Sequence, residues 1–479
     1  MASPRNKTQH LANCMWEYPA QENMRVPVHF FANSALKEML GPEVLEQARN
    51  VACLPGIVKS SLIMPDAHWG YGFPIGGVGA FDPDQGGIIC VGGIGYDISC
   101  GVRTYTTGLN LEEIKPKLDQ LSEKLFKKIP SGLGSEGVIS LTQKKLDEVL
   151  LEGAKWAVDK GFGPREDLEY IEDFGRTAGA DPQKVSKNAK QRQHKQMGTL
   201  GSGNHYLEIQ STEEIFDQST AEVYGLKQGD VLLSLHCGSR ALGHQIGTDY
   251  IQVLGRAAQK YGIKLPQREL VCAPIYSQEG QDFYRAMVCG INCALANRQI
   301  LGHLAREVFE DIFPGAKLSL IYDVSHNTCK IEKHRVNNQE KELYVHRKGA
   351  TRAFGPGKNE LLPQRYSQVG QPVIIGGSMG SSSYIMAGRD SGEDLSWCTA
   401  CHGAGRAMSR RQATKRWKGK SIIDSLAHQG IRIRAKSRKG VAEEAPEAYK
   451  NVSLVVDSTQ EAGIAKKVAK LSPLACIKG

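Results

Sequence analysis

Two segments of the chain combine closely spaced glycines with β-branched residues, and this pattern restricts the possible folds more than any other feature. The 52 glycines of the chain are concentrated in residues 70–101 and 370–405. Gly76-Gly77-Val78-Gly79 and Gly86-Gly87-Ile88-Ile89 place glycine pairs directly beside β-branched residues. Their apolar content is too high for flexible linkers, and glycine permits tight turns and close backbone approach. We therefore expect short strands and tight turns that pack closely together.

The rest of the chain alternates between helical and strand-like patterns. Apolar residues at three- and four-residue spacing predict helices over residues 111–128, 146–160, 243–261, 281–313 and 462–471. Short apolar runs predict strands at residues 231–235, 318–322, 343–345 and 373–375. The fold class is therefore α/β (α+β). A length of 479 residues would allow several domains. No internal repeat, low-complexity tract or interdomain linker is evident, so we expect one large catalytic domain spanning residues 1–479.

Positive charge is grouped along the chain rather than spread evenly. The formal net charge of +9 is only a mild excess. Any one basic cluster is typical of a solvated surface, but three clusters, two of them close to candidate active-site loops, favour a phosphate-rich ligand. The clusters lie at residues 184–195, 406–420 and 432–439.

No run of the chain approaches the ~18–20 apolar residues of a membrane span. The first residues lack the features of a signal peptide, so we expect a cytoplasmic protein with no membrane partner. The 12 cysteines follow no regular framework. In a reducing compartment we expect them to be buried apolar groups or ligands rather than disulfides.

Several potential metal ligands lie at turns and at predicted strand ends. Asp97 and Cys100 share the glycine-rich turn at residues 93–101, and His205, His236 and His326 each lie beside glycine or polar residues. Each of these five residues, taken singly, is more typical of a structural role than of a ligand. Because strand ends at one sheet edge converge, the five could meet and bind one or two metal ions. Histidines without this context are expected to be surface or packing residues: His10, His29, His194, His334 and His428.

The sequence Cys398-Thr399-Ala400-Cys401-His402 matches the attachment pattern of c-type haem. Haem attachment requires an exported protein, and the residues after His402 are glycine-rich and basic, which suits a nucleotide phosphate better. An imidazole can attack phosphorus near neutral pH, and Arg406 can offset phosphate charge. Gly419-Lys420-Ser421 ends like a phosphate-binding P-loop, but Thr414 stands where that motif needs its first glycine. A bound nucleotide would therefore be held in another way.

Taken together, these segments resemble the RtcB family of RNA-splicing ligases. The resemblance covers the chain from about Ala52 to Gly479, and residues 1–25 match poorly. The matching motifs are Pro65-Asp66-Ala67-His68, Asp97 to Arg103, Gly201 to Glu208, His236 to Arg240, Ser325-His326-Asn327, His346 to Gly349, Gly377 to Gly380 and Cys401 to Arg406. The resemblance implies the family's own α/β fold, which is unrelated to that of ATP-dependent ligases.

The resemblance also implies roles for individual residues. His402 would be the catalytic residue that takes GMP covalently from GTP. Asp97, Cys100, His205, His236 and His326 would hold two manganese ions, with the cysteine bridging them. The implied phosphate-binding residues for RNA are Arg192, Arg240 and Arg406. The implied nucleotide contacts are Asn204, His205, Tyr206, Leu207, Glu208, His326, Asn327, Gly376, Gly377, Ser378, Met379, Ser383, His402, Gly403, Ala404, Gly405, Tyr449 and Lys478.

The implied activity is the joining of RNA 3′-phosphate or 2′,3′-cyclic phosphate ends to 5′-hydroxyl ends, in transfer RNA splicing or RNA repair. Some relatives need an activating partner such as archease. Ser99, Cys237 and Cys329 depart from the usual family residues, but none removes an implied ligand. Two alternatives remain open: a metal-dependent cyclic phosphoesterase without ligation, and a non-enzymatic RNA-binding protein.

Overall fold

The computed structural model describes residues 7–358 and 360–479, and these form a mixed α/β structure. Residues 1–6 of the poorly matching segment 1–25 lie outside the described residues. The strands are β1 (Gln9–Ala12), β2 (Met15–Tyr18), β3 (Val28–Phe31), β4 (Ser61–His68), β5 (Ile75–Phe81), β6 (Ile88–Cys90), β7 (Gly101–Asn110), β8 (Tyr206–Ile215), β9 (Asp230–Cys237), β10 (Cys272–Pro274), β11 (Ser319–Ser325), β12 (Asn327–Val336), β13 (Gln339–Lys348), β14 (Ala350–Arg352), β15 (Pro372–Ile375), β16 (Ser383–Gly388), β17 (Thr399–Cys401), β18 (Arg432–Ala435) and β19 (Ala465–Lys478).

The helices vary in length from 4 to 35 residues. They are α1 (Ser34–Met39), α2 (Pro42–Ala52), α3 (Leu111–Ile114), α4 (Leu118–Lys128), α5 (Gln143–Glu152), α6 (Ala154–Asp159), α7 (Lys187–Gln193), α8 (Gln218–Tyr224), α9 (Arg240–Lys260), α10 (Gln278–Ile312), α11 (Gly392–Ser396), α12 (Arg410–Arg416), α13 (Gly419–His428), α14 (Arg438–Glu443) and α15 (Val452–Glu461).

Two large sheets organise the described residues. One has the strand order β1-β2-β3-β4-β5-β13-β12. The other has the order β11-β7-β9-β8-β19-β16-β15, with β18 pairing beside β19. Neighbouring strands in the run β11-β7-β9-β8 are antiparallel. The start of each strand therefore lies beside the end of its neighbour.

Helix α10 runs through the interior and is buried on almost all sides. Ser277 caps its first turn by accepting a hydrogen bond from the Gly280 N–H. A helix that is apolar all round belongs in the core of a large protein. Two of its buried polar residues, Asn297 and Arg298, face the segments that carry the candidate ligands.

The mixed α/β class is confirmed, and most predicted elements are present within a few residues of their expected bounds. The segment 146–160 is divided by Gly153 into α5 and α6. The predicted helix at residues 462–471 is wrong, because α15 ends at Glu461 and β19 begins at Ala465. Irregularities in the pairing of β19 with β16 and β8 interrupt the two-residue alternation. The buried residues Ala465, Val468, Ala469 and Leu471 therefore imitate helical spacing.

Two other expectations concern the chain as a whole. No disulfide links any of the 12 cysteines, all of which lie in the described ranges. No helix in the described part of the chain has the length and apolar character to span a bilayer. The assignment of residues 1–479 to one domain and the cytoplasmic location stay predictions.

Candidate active site and metal centre

One edge of the second sheet gathers the predicted metal ligands. Strand β11 ends there at Ser325, and β7 begins there at Gly101, directly opposite it. Gly101 in turn faces Cys237 of β9, and Tyr206 of β8 faces His236. The residues just outside or at these strand ends are Cys100, His205, His236 and His326. The antiparallel order of the strands thus brings together residues that are far apart along the chain.

The ligand atoms of the five predicted residues meet around Cys100. Its Sγ lies 3.3 Å from His205 Nε2 and 3.0 Å from His236 Nε2. His236 Nε2 also lies 3.1 Å from His326 Nε2, and His205 Nε2 lies 2.8 Å from Asp97 Oδ2. Two overlapping groups result, one of Cys100, His236 and His326 and one of Asp97, Cys100 and His205. A thiolate shared between two groups suits a pair of adjacent metal ions.

A hydrogen bond at Nδ1 orients the imidazoles of His205 and His236 toward this centre. His205 Nδ1 lies 2.9 Å from the Leu200 carbonyl, and His236 Nδ1 lies 3.1 Å from the Asn204 carbonyl. A carbonyl only accepts, so each Nδ1 carries the proton and each Nε2 presents its lone pair to the centre, unless the ring is doubly protonated. This arrangement is typical of metal-binding histidines. The residues therefore fit a metal centre.

The electrostatics of the site agree with this arrangement. Burial lowers the pKa of His236 and of His326 well below the usual value, which favours the neutral, ligating form. Burial would also lower the pKa of His205, but Cys100 and Asp97 outweigh it and raise that pKa. A proton or a cation is needed between His205 and Asp97. Burial, assisted by Asp97, raises the pKa of Cys100 to about 12, so its thiolate requires a cation.

Arg298 of α10 holds the backbone beneath three of the ligands. Its Nη1 donates to the carbonyls of Ser99 and Cys237, at 2.6 Å and 3.0 Å. Its Nη2 donates to Ser325 Oγ at 3.2 Å. Ser99, Cys237 and Ser325 immediately adjoin Cys100, His236 and His326. Arg298 therefore fixes the relative positions of three ligand-bearing segments.

His402 follows β17, which pairs with β14, and it faces the metal ligands. Its ring centroid lies 4.7 Å from that of His326. Asp66 Oδ2 stands 2.6 Å from His402 Nδ1 and also accepts a hydrogen bond of 3.2 Å from the His402 backbone N–H. This carboxylate lies on the Nδ1 side of the ring, so Nε2 is the nitrogen left for chemistry. Asp66 was part of a matching motif, but its sequence position gave no sign of this contact.

The turn after His402 requires glycine at Gly405. Its φ is +71°, a conformation that other residues rarely adopt. A Cβ at this position would also lie 1.9 Å from the Asp66 carbonyl oxygen. The turn therefore packs directly on the segment that supplies the carboxylate beside His402.

Four of the five candidate metal ligands, all except His205, share one cavity of about 1190 Å³ with His402. This volume exceeds the upper end of the roughly 300–1,000 Å³ range of ordinary ligand sites. The predicted residues that line it are Asp97, Cys100, Asn204, Tyr206, Glu208, His236, His326, Asn327, Gly376, Gly377, Ser378, Met379, His402, Gly403, Ala404, Gly405, Arg406, Tyr449 and Lys478. The predicted residues outside its lining are His205, Leu207, Ser383, Arg192 and Arg240.

Residues outside the lining have identifiable surroundings. Leu207 is part of the hydrophobic core. Ser383 Oγ accepts a hydrogen bond of 3.1 Å from the Gly377 N–H and so supports the lining from behind. Arg192 donates to Gln245 Oε1 at 2.6 Å, and Arg240 donates to Thr199 Oγ1 at 3.1 Å. Both arginines are thus hydrogen-bonded to polar neighbours.

Buried polar groups also line the cavity, among them the carboxyl of Glu208. Burial raises the pKa of Glu208 to about 8, although Lys478 opposes this shift. Arg406 donates to Tyr449 Oη at 3.2 Å and pairs with Glu444 at 3.3 Å. Glu444 was not anticipated from the sequence, because its role depends on a contact across 38 residues. These groups supply hydrogen-bond donors and acceptors for a polar ligand.

The three residues that depart from the usual family pattern do not occupy ligand positions. Ser99 Oγ lies 2.7 Å from Ser325 Oγ. The thiol of Cys237 donates to the Leu200 carbonyl at 3.1 Å, and Cys329 lies 3.6 Å from His346 Nδ1. All three side chains are buried and support the strands around the centre.

Comparison with known proteins places this geometry in a family. The family model described as "tRNA-splicing ligase RtcB" matches residues 47–479. The chain is 48% identical over 470 residues to the tRNA-splicing ligase RtcB of Archaeoglobus fulgidus, covering 97% of each chain. It is 49% identical over 460 residues to that of Methanococcus maripaludis, covering 95% of each chain. The chain belongs to the RtcB family.

Relatives from bacteria show the same extent of similarity. The RNA-splicing ligase RtcB of Mycobacterium bovis is 48% identical over 435 residues, which cover 90% of this chain and all of the relative. Membership of the RtcB family confirms the expected resemblance and the expected enzyme class, a ligase. It counts against the interpretation as a non-enzymatic RNA-binding protein.

Proposed function

We propose that this RtcB-family chain is a GTP- and manganese-dependent ligase that joins RNA 3′-phosphate or 2′,3′-cyclic phosphate ends to 5′-hydroxyl ends. The observation that carries the proposal is the position of His402. Its ring lies 4.7 Å from His326, a metal-ligand candidate, and both residues line one cavity with Cys100. A nucleophile beside a Lewis-acid site is the arrangement that nucleotidyl transfer requires.

The residues around Cys100 would hold two manganese ions. When bound, the ions supply Lewis-acid polarisation of a phosphoryl oxygen. Asp97, Cys100 and His205 would hold one ion, and Cys100, His236 and His326 would hold the other. Thiolate and imidazole ligands also suit zinc and cobalt, so the metal used in the cell is a matter for competition experiments.

His402 would carry GMP between GTP and RNA. Nε2 attacks the α-phosphorus of GTP, and the bond to pyrophosphate breaks as the N–P bond forms. An oxygen of the RNA 3′-phosphate then attacks the same phosphorus, and the N–P bond breaks. Finally the 5′-hydroxyl oxygen attacks the RNA phosphorus, loses its proton, and GMP leaves. A 2′,3′-cyclic phosphate would first be opened by water.

The chain's own residues would position this nucleophile. The Asp66 carboxylate, 2.6 Å from Nδ1, favours a proton on that nitrogen and leaves the Nε2 lone pair free to attack. The same carboxylate would stabilise the positive charge that the ring gains after attack. Arg406 lines the cavity, and it would offset charge on the phosphate oxygens after exchanging its present partners, Glu444 and Tyr449.

The nucleotide would lie in the cavity beside His402. Asn204, Asn327 and Ser378 line the cavity with amide and hydroxyl groups. Tyr449 and Lys478 also line it, and Lys478 would contact the base rather than the phosphates. Ser383 supports the Gly376–Met379 segment from behind, and Leu207 would act only through its backbone.

The remaining volume would accept RNA ends. Trp69 lines the cavity with 64% of its surface exposed, so its ring is free to stack on an unpaired base. Arg410 and Arg411 line the same cavity and carry the charge needed for RNA phosphates. Arg192 and Arg240 would bind phosphates only after leaving their present partners.

The decisive experiment is labelling with GTP that is radioactive at its α-phosphate, in the presence of manganese. We expect acid-labile label on the native chain and none on His402→Ala. A matched control is His428→Ala, since His428 lies at the end of α13 and outside the cavity lining. Equal labelling of native chain and His402→Ala would overturn the covalent role.

Product analysis separates ligation from the phosphoesterase alternative. One RNA fragment with a 2′,3′-cyclic phosphate and one with a 5′-hydroxyl end should yield a joined product that contains a 3′–5′ linkage. Opening of the cyclic phosphate without joining would support the phosphoesterase alternative. The assay is run with and without an archease-type activator, because some relatives depend on one.

A further inference from the structure

A second group of potential metal ligands lies outside the active-site cavity. His334, Glu393 and Cys398 each offer one ligand atom, and these atoms lie within 4.8 Å of one another. His334 Nδ1 is 2.7 Å from Glu393 Oε1, and Cys398 Sγ is 3.2 Å from Glu393 Oε2. None of the three lines the catalytic cavity. The group is therefore separate from the centre around Cys100.

Three elements of the fold bring these side chains together. His334 belongs to β12, Glu393 lies in the first turn of α11, and Cys398 follows α11 just before β17. His334 and Cys398 are almost fully buried, with 2% and 1% of their surfaces exposed. Imidazole, carboxylate and thiol in one buried group form a donor set that suits zinc.

The outer nitrogen of His334 is held in the manner of a metal ligand. Its Nε2 lies 3.1 Å from Glu332 Oε2, and that carboxylate receives two hydrogen bonds from Arg347, at 2.6 Å and 2.8 Å. Metal-binding histidines usually donate their other ring N–H to such a carboxylate. With its proton on Nε2, His334 directs the Nδ1 lone pair at Glu393. Two acceptors 2.7 Å apart need a proton or a cation between them.

We propose that His334, Glu393 and Cys398 bind one zinc ion, with water or a solvent-derived ligand in the fourth position. Binding would release the thiol proton of Cys398, and the thiolate and carboxylate would together balance the charge of the ion. Zinc–ligand bonds of roughly 2.0–2.3 Å place the ligand atoms of a tetrahedral site about 3.3–3.8 Å apart. The present separations from Glu393, 2.7 Å and 3.2 Å, are shorter than this, so the side chains would move apart as the ion binds. The ion would link β12 to β17, the strand that precedes His402.

The side chain of Lys358 already pairs with Glu393 and would compete with a zinc ion for this carboxylate. Lys358 Nζ lies 3.0 Å from Glu393 Oε2, and 36% of its side chain is exposed. A flexible side chain with this exposure can withdraw to solvent when an ion enters. Without zinc, protonated His334 and Lys358 would balance the charge of Glu393. The experiments must therefore distinguish a metal site from an ion-paired network.

The first test measures how many zinc ions each variant retains. Chains freed of metal are given excess zinc, passed through a desalting column and analysed by elemental mass spectrometry. We expect Cys398→Ala to retain one zinc equivalent fewer than the native chain. Cys14→Ala is the matched control, because the Cys14 thiol also contacts a carboxylate, Glu461 at 2.9 Å, but belongs to no three-ligand group among the described residues. This control should retain the native count.

The second test uses cobalt as a spectroscopic probe in a Cys100→Ala background, which removes the thiolate of the catalytic centre. We expect a thiolate-to-cobalt absorption band that disappears when Cys398→Ala is added. Zinc should also raise the melting temperature of the Cys100→Ala chain, and Cys398→Ala should lose that rise. If Cys398→Ala does not fold, Glu393→Gln replaces it, with Glu461→Gln as control, and should weaken zinc binding at least tenfold.

Two outcomes would overturn the proposal. One is an unchanged zinc count in folded Cys398→Ala. The other is the absence of a thiolate–cobalt band in folded Cys100→Ala. Either result would identify the group as an ion-paired network of His334, Lys358 and Glu393. Neither result would bear on the covalent role of His402, which the labelling experiment tests separately.

Discussion

Arg298 and Asp323 form an ion pair that solvent does not reach, directly beneath the candidate metal centre. Arg298 Nε lies 2.8 Å from Asp323 Oδ1, and neither side chain is exposed. Asp323 also pairs with Arg103 at 2.7 Å. Burial of a charged triad is costly unless each charge is paired and hydrogen-bonded. The remaining donors of Arg298 meet this requirement through the backbone that carries the ligands.

Arg298→Met should lower both stability and metal affinity. The variant removes one of the two arginines paired with Asp323, and it leaves the Ser99 and Cys237 carbonyls without their donor. We expect a loss of about 3–5 kcal/mol, the usual cost of breaking a buried ion pair. Denaturant unfolding and manganese titration measure the two effects. Arg306→Met is the control, because Arg306 is paired with Asp167 at 2.6 Å and donates to the Leu318 carbonyl, but to none of the residues that adjoin the ligands. A similar fall in manganese affinity in both variants would contradict the anchoring role.

Asp66→Asn should slow the transfer of GMP to His402 without weakening metal binding. The amide is neutral and can also turn its NH₂ group toward Nδ1, so it stabilises a proton there less well than the carboxylate does. Loss of such a partner typically costs about 10²–10⁴ in rate. Single-turnover labelling with GTP measures the rate, and manganese titration checks the metal centre. Asp82→Asn is the control, since Asp82 is a buried carboxylate paired with Lys341 outside the cavity lining. Native labelling kinetics in Asp66→Asn would remove the proposed positioning role.

Cys100→Ala should abolish nucleotidylation and reduce the number of bound manganese ions. The Sγ atom belongs to both ligand groups, so its loss affects both ions. Elemental analysis and GTP labelling on the same preparation test this expectation. Cys237→Ala serves for comparison, because that buried thiol donates to a carbonyl and belongs to neither group. Retention of full metal content and labelling by Cys100→Ala would refute a bridging thiolate.

Glu208→Gln should change how stability depends on pH. The pKa of Glu208 is about 8 in the folded chain, above its usual value of 4.5. Between these values the folded state keeps a proton that the unfolded state has lost, so stability falls as pH rises and levels off above about pH 8. The melting temperature of the metal-free variant should therefore fall less between pH 5 and 8 than that of the native chain. Melting temperatures that fall equally between pH 5 and 8 in Glu208→Gln and in the native chain would exclude the raised pKa of Glu208.

Gly405→Ala should misplace His402. The new Cβ would meet both a positive φ and the Asp66 carbonyl at 1.9 Å, and we expect a loss of at least about 1 kcal/mol together with slower labelling. Gly357→Ala isolates the backbone effect, because its φ is +84° but a Cβ there has no neighbour within 4 Å. Comparable labelling by the two variants would show that the close packing on Asp66 is unimportant.

The sequence predicted much of this site because its motifs lie at strand ends. Cys100, His236 and His326 adjoin strands whose apolar runs are recognisable, and antiparallel pairing makes such ends converge. The contact between Asp66 and His402 was not predictable, since 336 residues separate them. The role of Arg298 was hidden for the same reason, because helical periodicity shows that a face is buried but not what it touches.

Local pattern was incomplete at one further position and wrong at another. His334 was expected to be a surface or packing residue; it is buried, and the two carboxylates beside it were not anticipated. The alternating pattern of β12 indicates which of its residues share a face, but not which distant side chains cover that face. At residues 462–471, irregular strand pairing produced the spacing of a helix. A single sequence does not reveal such irregularities.

The place of β19 has a consequence for protein synthesis. It lies inside its sheet, with β8 along one side and β16 and β18 along the other. Until residues 465–478 have left the ribosome, the nascent chain has a gap there, and the facing edges of β8 and β16 are unpaired. Unpaired edges readily join other chains. The interval before β19 emerges is therefore one in which the nascent chain is open to aggregation through these two edges.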